Sequence, residues 1–146
     1  MDNEIDQDKP LFTISTISEM LGVSPDTLRL YEREGLIIPF KKESSHRLYS
    51  YADIERLKCI RNLIKENKIN IAGINAMLSL IPCWDIISCS ETDRENCDSY
   101  KGNFRPCWSY KHINNICASY DCRECKVYKD YFTCDTIKNK LQKIIK

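Results

Sequence analysis

Eight of the nine cysteines fall in one stretch: Cys83, Cys89, Cys97, Cys107, Cys117, Cys122, Cys125 and Cys134. Thiolates at this density need a cation or an oxidant to be stable. No charged start with an apolar core resembles a secretion signal, so metal or redox chemistry is expected rather than a disulfide scaffold. Cys122-Arg123-Glu124-Cys125 is a C-x-x-C, the spacing that lets two sulfurs grip one metal from a tight loop. That spacing alone does not choose between zinc, an iron–sulfur cluster and a dithiol switch. The remaining spacings lack the second C-x-x-C typical of structural zinc, and Trp84 and Trp108 directly follow cysteines. Tyr100, Tyr120 and Tyr128 lie nearby, and an aromatic shell excludes water and tunes a cluster. The expected cofactor is therefore an iron–sulfur cluster, with Zn2+, or a dithiol/disulfide switch or structural disulfides, as alternatives.

The cysteine stretch carries an internal repeat. Pro82-Cys83-Trp84 is followed by Cys97-Asp98-Ser99-Tyr100, and Pro106-Cys107-Trp108 by Cys117-Ala118-Ser119-Tyr120. Two copies of one cysteine-presenting unit follow from this. The expected metal ligands are Cys83, Cys97, Cys107, Cys117, Cys122 and Cys125. Cys89 has no counterpart in the second copy and Cys134 lies beyond the repeat, which makes both spare thiols or ligands of a second centre. Cys59 stands apart on a helical stretch, expected as a lone buried thiol behaving as a small hydrophobe.

A second chemical group is basic: Arg29 and Arg33, then Lys41, Lys42, His46 and Arg47. Their positions come from the elements around them. Ile14, Ile17, Met20 and Leu21 recur at helical spacing, and Gly22-Val23 makes a turn. Ser24-Pro25-Asp26 then starts a second helix with an N-cap serine and a first-turn proline, which Gly35 closes. Ile37–Phe40 and Arg47–Ser50 read as strands of a small hairpin with polar residues between. Ile54, Leu57, Ile60, Leu63 and Ile64 form one helical stripe, and Ile71, Ile74, Met77, Leu78 and Ile81 another. Two short helices, a turn and a hairpin make a winged helix-turn-helix. Its second helix belongs in a DNA major groove and its wing reaches the backbone or minor groove.

The expected fold is mainly α. Residues 1–10 form a flexible arm, 11–81 the winged helix-turn-helix domain, 82–134 a small, loop-rich, Cys-rich metal-binding domain, and 135–146 an amphipathic helix with Ile137, Leu141 and Ile144 on one face. Lys and Arg number 22 against 21 Asp and Glu, so a nucleic-acid binder of this composition must gather its positive charge on one face. No apolar run reaches the length of a membrane span, and a cytoplasmic protein with no membrane partner is expected. No Ser/His/Asp set, phosphate loop or paired-carboxylate motif is present, so no enzyme activity is expected. An electron-carrier module fused to a DNA-binding domain is the competing reading.

Phe12-Thr13-Ile14-Ser15, Gly22 to Arg29, Tyr31-Glu32-Arg33-Glu34-Gly35-Leu36-Ile37 and His46-Arg47-Leu48-Tyr49-Ser50 resemble the MerR family in order and spacing. Ile69 to Ile74 is similar to its heat-shock and glutamine-synthetase repressor branches. The resemblance implies DNA contacts from Arg29 and Tyr31 in the recognition helix and from Arg47 and Tyr49 in the wing. Thr27, Arg33, Lys41, Lys42 and His46 complete the expected DNA face. It also implies a homodimer on double-stranded promoter DNA that engages RNA polymerase indirectly, by changing the twist of the promoter. The long pairing helix of the family is cut short here at Pro82. The cysteine stretch resembles the two-CW domain of sensory proteins through Cys83-Trp84, Cys107-Trp108 and Cys122 to Tyr128, which implies a metal or redox role.

Overall fold

The computed structural model describes residues 6–42, 44, 46–102 and 104–131. Cys134 and the expected helix over 135–146 lie outside the described residues. The element order opens with β1 (Phe12–Thr13), α1 (Ile14–Leu21) and α2 (Pro25–Arg33). β2 (Phe40–Lys41), β3 (Arg47–Tyr49), α3 (Tyr51–Lys65) and α4 (Ile71–Leu78) follow. The cysteine stretch holds short helices α5 (Cys83–Ile86), α6 (Glu91–Glu95), α7 (Asp98–Lys101) and α8 (Lys126–Tyr131), with single 3-10 turns at Cys107–Ser109, Ile116–Ser119 and Cys122–Glu124.

Side-chain caps set the helix starts. The Thr13, Ser24, Ser50 and Asn70 side chains each accept a hydrogen bond from an orphan N–H in the first turn of α1, α2, α3 and α4. Gly22 and Gly35 take positive φ after α1 and α2, the left-handed conformation that glycine adopts without strain. The wing is shorter than its sequence pattern. Ile37, Ile38 and Pro39 are not strand, because Ile37 turns into the core and the pairing begins at Phe40. The sheet gains β1, so its order is β1-β3-β2, all antiparallel, with Phe12 opposite Tyr49 and Phe40 opposite Leu48.

The cysteine stretch does not form a separate unit. Trp108, Val127 and Tyr128 share one buried cluster with Leu28, Tyr31, Leu36, Ile37, Leu57 and Ile60 of the winged domain. Burial of each large apolar side chain contributes about 1.5–3 kcal/mol, enough for these three to fix the stretch in place. Residues 6–10, expected as part of a free arm, are also tied down: the Ala52 N–H donates to the Gln7 carbonyl, and Lys129 of α8 pairs with Asp8 at 3.3 Å.

The irregular link from α2 to the wing shows why the two halves need each other. Buried backbone polar groups must find partners. The Asn75 side chain of α4 donates to the Glu34 carbonyl at 2.9 Å. The other partners come from the cysteine stretch. The Trp108 indole N–H donates to the Gly35 carbonyl at 2.7 Å, the Ile38 N–H donates to the Tyr128 hydroxyl at 2.9 Å, and the Arg123 guanidinium donates to the Ile38 carbonyl. The fit is close enough that a Cβ at Gly35 would meet the Ser109 Cβ at 2.9 Å.

Asp53, wholly buried, joins the halves electrostatically. One oxygen accepts from the Ser50 N–H at 2.8 Å and from Arg123 Nη2 at 2.9 Å, and the other from Arg56 Nη1 at 3.1 Å. Arg56 also lies 4.2 Å from the Tyr128 ring centroid. Removing the carboxylate leaves two buried guanidiniums without their anion, a change that costs about 3–5 kcal/mol when one member of a buried pair is lost. Asp53→Ala is expected to lower unfolding free energy by about that much in urea denaturation, and to raise the reactivity of Cys122 and Cys125 toward a thiol reagent under native conditions. An unchanged midpoint would remove Asp53 from this role.

Candidate nucleic-acid face and thiol cavity

On α2, Leu28 and Tyr31 point into the core, which turns Asp26, Arg29 and Arg33 outward on the opposite face. Arg29 pairs with Asp26 at 3.1 Å, both well exposed. Thr27 is half-buried, its hydroxyl 3.0 Å from that of Ser24. Lys42 and His46 are exposed at the two sides of the wing turn, closed by the Lys42 N–H donating to the His46 carbonyl. Lys41 and Arg47 stand opposite each other on the paired wing strands.

The two tyrosines that the family resemblance places on the DNA face are buried. Tyr31 is 2 % exposed and Tyr49 0 %. Both rings sit on the apolar side of their element, so neither presents its ring to a bound duplex. Arg61 donates to the Tyr31 hydroxyl at 3.4 Å, whereas the Tyr49 hydroxyl is buried with no partner. Burial pushes the Tyr49 hydroxyl up to about 12, so it stays protonated.

Glu32 was not legible as a site residue. It accepts from Lys41 at 2.8 Å and pairs with Arg47, so one carboxylate on α2 holds both wing cations. Burial raises its pKa, but the bonds from Lys41 and Arg47 outweigh burial and hold the carboxyl below its ordinary value. The clamp is thus complete above the ordinary carboxylate range and is lost as pH falls through that lowered value.

The cysteine stretch brings five thiols to one small cavity: Cys83, Cys107, Cys117, Cys122 and Cys125. Trp108, Val127, Tyr128, Ile87, Tyr120 and His112 complete its walls. The cavity volume is about 10 Å³, no more than one water needs. Cys83 and Cys107 are in hydrogen-bond contact: the bond from Cys107 lowers Cys83, and Cys107 is raised by that bond and by burial. Burial, with the nearby sulfurs of Cys89 and Cys83, pushes Cys117 up to about 12. Burial, then Cys125, raises Cys122.

The repeat is broken in three dimensions. Cys97, expected as a ligand, does not line the cavity. Its sulfur accepts from the Tyr100 N–H at 3.4 Å and lies 4.0 Å from His112 Nδ1. The first copy packs Trp84 edge-on to its own Tyr100, whereas Trp108 of the second packs edge-on to Tyr128. Cys89 is also outside the cavity, near Cys97 and Asp93. Among the described residues, no three His, Cys, Asp or Glu side chains converge at metal-binding spacing. Cys59 is buried on α3 as expected, but it is disulfide-bonded rather than a lone thiol.

Residues 12–81 match the family model described as MerR HTH family regulatory protein. This segment is a MerR-type helix-turn-helix domain. The match ends before Cys83, so the thiol cavity lies outside it. The chain is 38% identical over 77 residues to the putative heat shock protein HspR of Streptomyces coelicolor, covering 53% of this chain and 51% of that protein. It is 41% identical over 68 residues to the HTH-type transcriptional regulator TnrA of Bacillus subtilis, covering 47% and 61%. Against the HTH-type transcriptional regulator GlnR of Bacillus cereus the identity is 32% over 69 residues, covering 47% and 53%. The chain thus spans between about half and three fifths of the length of these relatives. No described helix is long and apolar enough to cross a membrane.

Release of the Glu32 clamp gives a test of the basic face. Glu32→Gln frees Lys41 and Arg47 for phosphate. It is expected to tighten binding to random-sequence duplex DNA and to steepen the dependence of log affinity on log salt by about one to two cations. A titration by fluorescence anisotropy at several salt concentrations reads both; weaker binding with a flatter slope would place the wing cations off the DNA.

Proposed function

We propose that the chain is a sequence-specific DNA-binding transcription regulator whose cysteine cavity senses redox or metal status. The MerR-type domain and the regulator relatives support the DNA-binding half of this reading. Arg29 and Arg33 supply major-groove and phosphate contacts, and Lys41, Lys42, His46 and Arg47 those of the wing. A homodimer on a pseudo-palindromic promoter site follows from the family's mode of action, with RNA polymerase affected through the DNA rather than by contact.

The observation that carries the sensing half is that five thiols line a cavity whose Trp108 and Tyr128 walls are bonded to the α2–wing link. The donor set fits a thiophilic centre, since sulfur ligands select iron–sulfur clusters and zinc. At about 10 Å³ the cavity would have to widen, and its sulfurs turn inward, to converge on such a centre. Cys83, Cys107, Cys117, Cys122 and Cys125 are the residues that would hold an iron–sulfur cluster, which would supply one-electron redox chemistry. The chain's own part is to keep water out with Trp108, Val127 and Tyr128 and to transmit movement of the loops to Gly35 and Ile38. A thiol switch is the second reading, favoured by the contact between Cys83 and Cys107.

Protein purified without oxygen is expected to be brown and to contain iron and acid-labile sulfide. Cys107→Ser, Cys122→Ser and Cys125→Ser each bleach it, and Cys97→Ser does not. Loss of the centre shifts affinity for a promoter duplex by roughly five- to 150-fold, the span of coupling common between linked sites. Colourless protein with stoichiometric zinc would eliminate the cluster. Colour that comes and goes without any change in DNA affinity would favour the electron-carrier reading.

A further inference from the structure

We propose that Arg105, in the cysteine stretch, is a DNA-backbone contact that extends the recognition face beyond the winged domain. It rests on the DNA-binding reading above and adds a residue outside the MerR-type segment. The observation is an open cleft between the end of α2, the α2–wing link and the segment Arg105–Ser109. Its cations are Arg33, Lys41 and Arg105, and its anion is Glu32, already engaged by Lys41 and Arg47. Arg33 and Arg105 form no ion pair that would neutralise them among those of the described residues, and both are exposed.

The position of the cleft decides the occupant. Arg33 lies one helical turn from Arg29, on the face of α2 turned away from Leu28 and Tyr31. A duplex lying along that face would pass Arg33, and Arg105 lines the same cleft as Arg33. The wall is rigid where it matters. Pro106 is buried, Trp108 is bonded to Gly35, and the Ser109 hydroxyl donates to the Pro106 carbonyl at 2.7 Å. Arg105 is thus held beside the recognition helix by a short anchored segment rather than by a loose loop. Trp108 lines both this cleft and the thiol cavity, and Cys107 is two residues from Arg105, so the contact is also placed next to the cavity.

The test uses the full chain and two duplexes: one selected by the protein from a random pool, and a scrambled one. Arg105→Ala is expected to weaken binding to both by a similar factor, about three- to tenfold, and to reduce the salt slope by about one. Arg105→Lys retains most of the affinity, because a phosphate accepts either cation. Arg29→Ala is the control for the reading beneath: it abolishes the preference for the selected duplex. Arg29→Ala effective with Arg105→Ala silent overturns the contact and leaves DNA recognition standing. Both variants silent overturns the recognition face and the contact with it. A loss on the selected duplex alone, with the salt slope unchanged, overturns the assignment to phosphate. Thermal melting of Arg105→Ala within a degree or so of the parent excludes a folding defect, as expected for an exposed side chain.

Discussion

The buried carboxylate of Asp53 is the constraint on which the arrangement depends. It stands at the start of α3, where its capping bond to the Ser50 N–H fixes the exit of the wing strand into the helix. The same group binds Arg123, the second residue of the C-x-x-C loop, and Arg56 on its own helix. A buried ion pair is tolerated when its remaining hydrogen-bonding capacity is met, and Asp53 meets it from three sides. Arg56 also donates to the Tyr128 carbonyl at 3.3 Å and stacks on the Tyr128 ring, while its Nε is buried without a partner. The geometry of the C-x-x-C loop is therefore inherited from a residue of the winged domain.

That inheritance runs in both directions. The link between α2 and the wing buries Leu36 and Ile37 and so cannot satisfy its backbone with water. Trp108, Arg123 and Tyr128 take that place. A displacement of Cys107 moves Trp108, which adjoins it in sequence, and a displacement of Cys122 or Cys125 moves Arg123, which lies between them. Each of these residues is bonded to Gly35 or Ile38, between the recognition helix and the wing. The angle between those two elements sets how a winged domain lies on a duplex. The route from the thiols to the α2–wing link is thus a few hydrogen bonds long.

Glu32 shows how the charge on the wing is managed. The chain carries almost as many acids as bases, and a basic face in such a chain must hold its cations in order. A carboxylate between Lys41 and Arg47 gives the wing a fixed orientation while it is free of DNA. On the proposed DNA-binding reading, phosphates would compete with Glu32 for the same cations and so temper non-specific attraction.

The sequence by itself determined the winged domain. The cap at Ser24, the apolar stripes of α3 and α4, and the glycines at 22 and 35, two of the positive-φ positions, are local signals, read within a turn or two of chain. The place of Tyr31 and Tyr49 was not legible, because an aromatic ring with a polar tip suits either a core or a phosphate, and only the folded chain shows their burial. The cysteine stretch was legible as chemistry but not as geometry. The repeat made Cys83, Cys97, Cys107 and Cys117 equivalent in pairs, yet the tertiary structure turned Cys117 into the cavity and left Cys97 capping α7. Irregular loops carry no period from which a side chain's direction can be read. Their direction comes from partners distant in sequence: Asp53 for Arg123, Gly35 for Trp108, Ile38 for Tyr128. Only the folded chain brings those partners together, because their pairing rewards burial of groups that no local pattern satisfies.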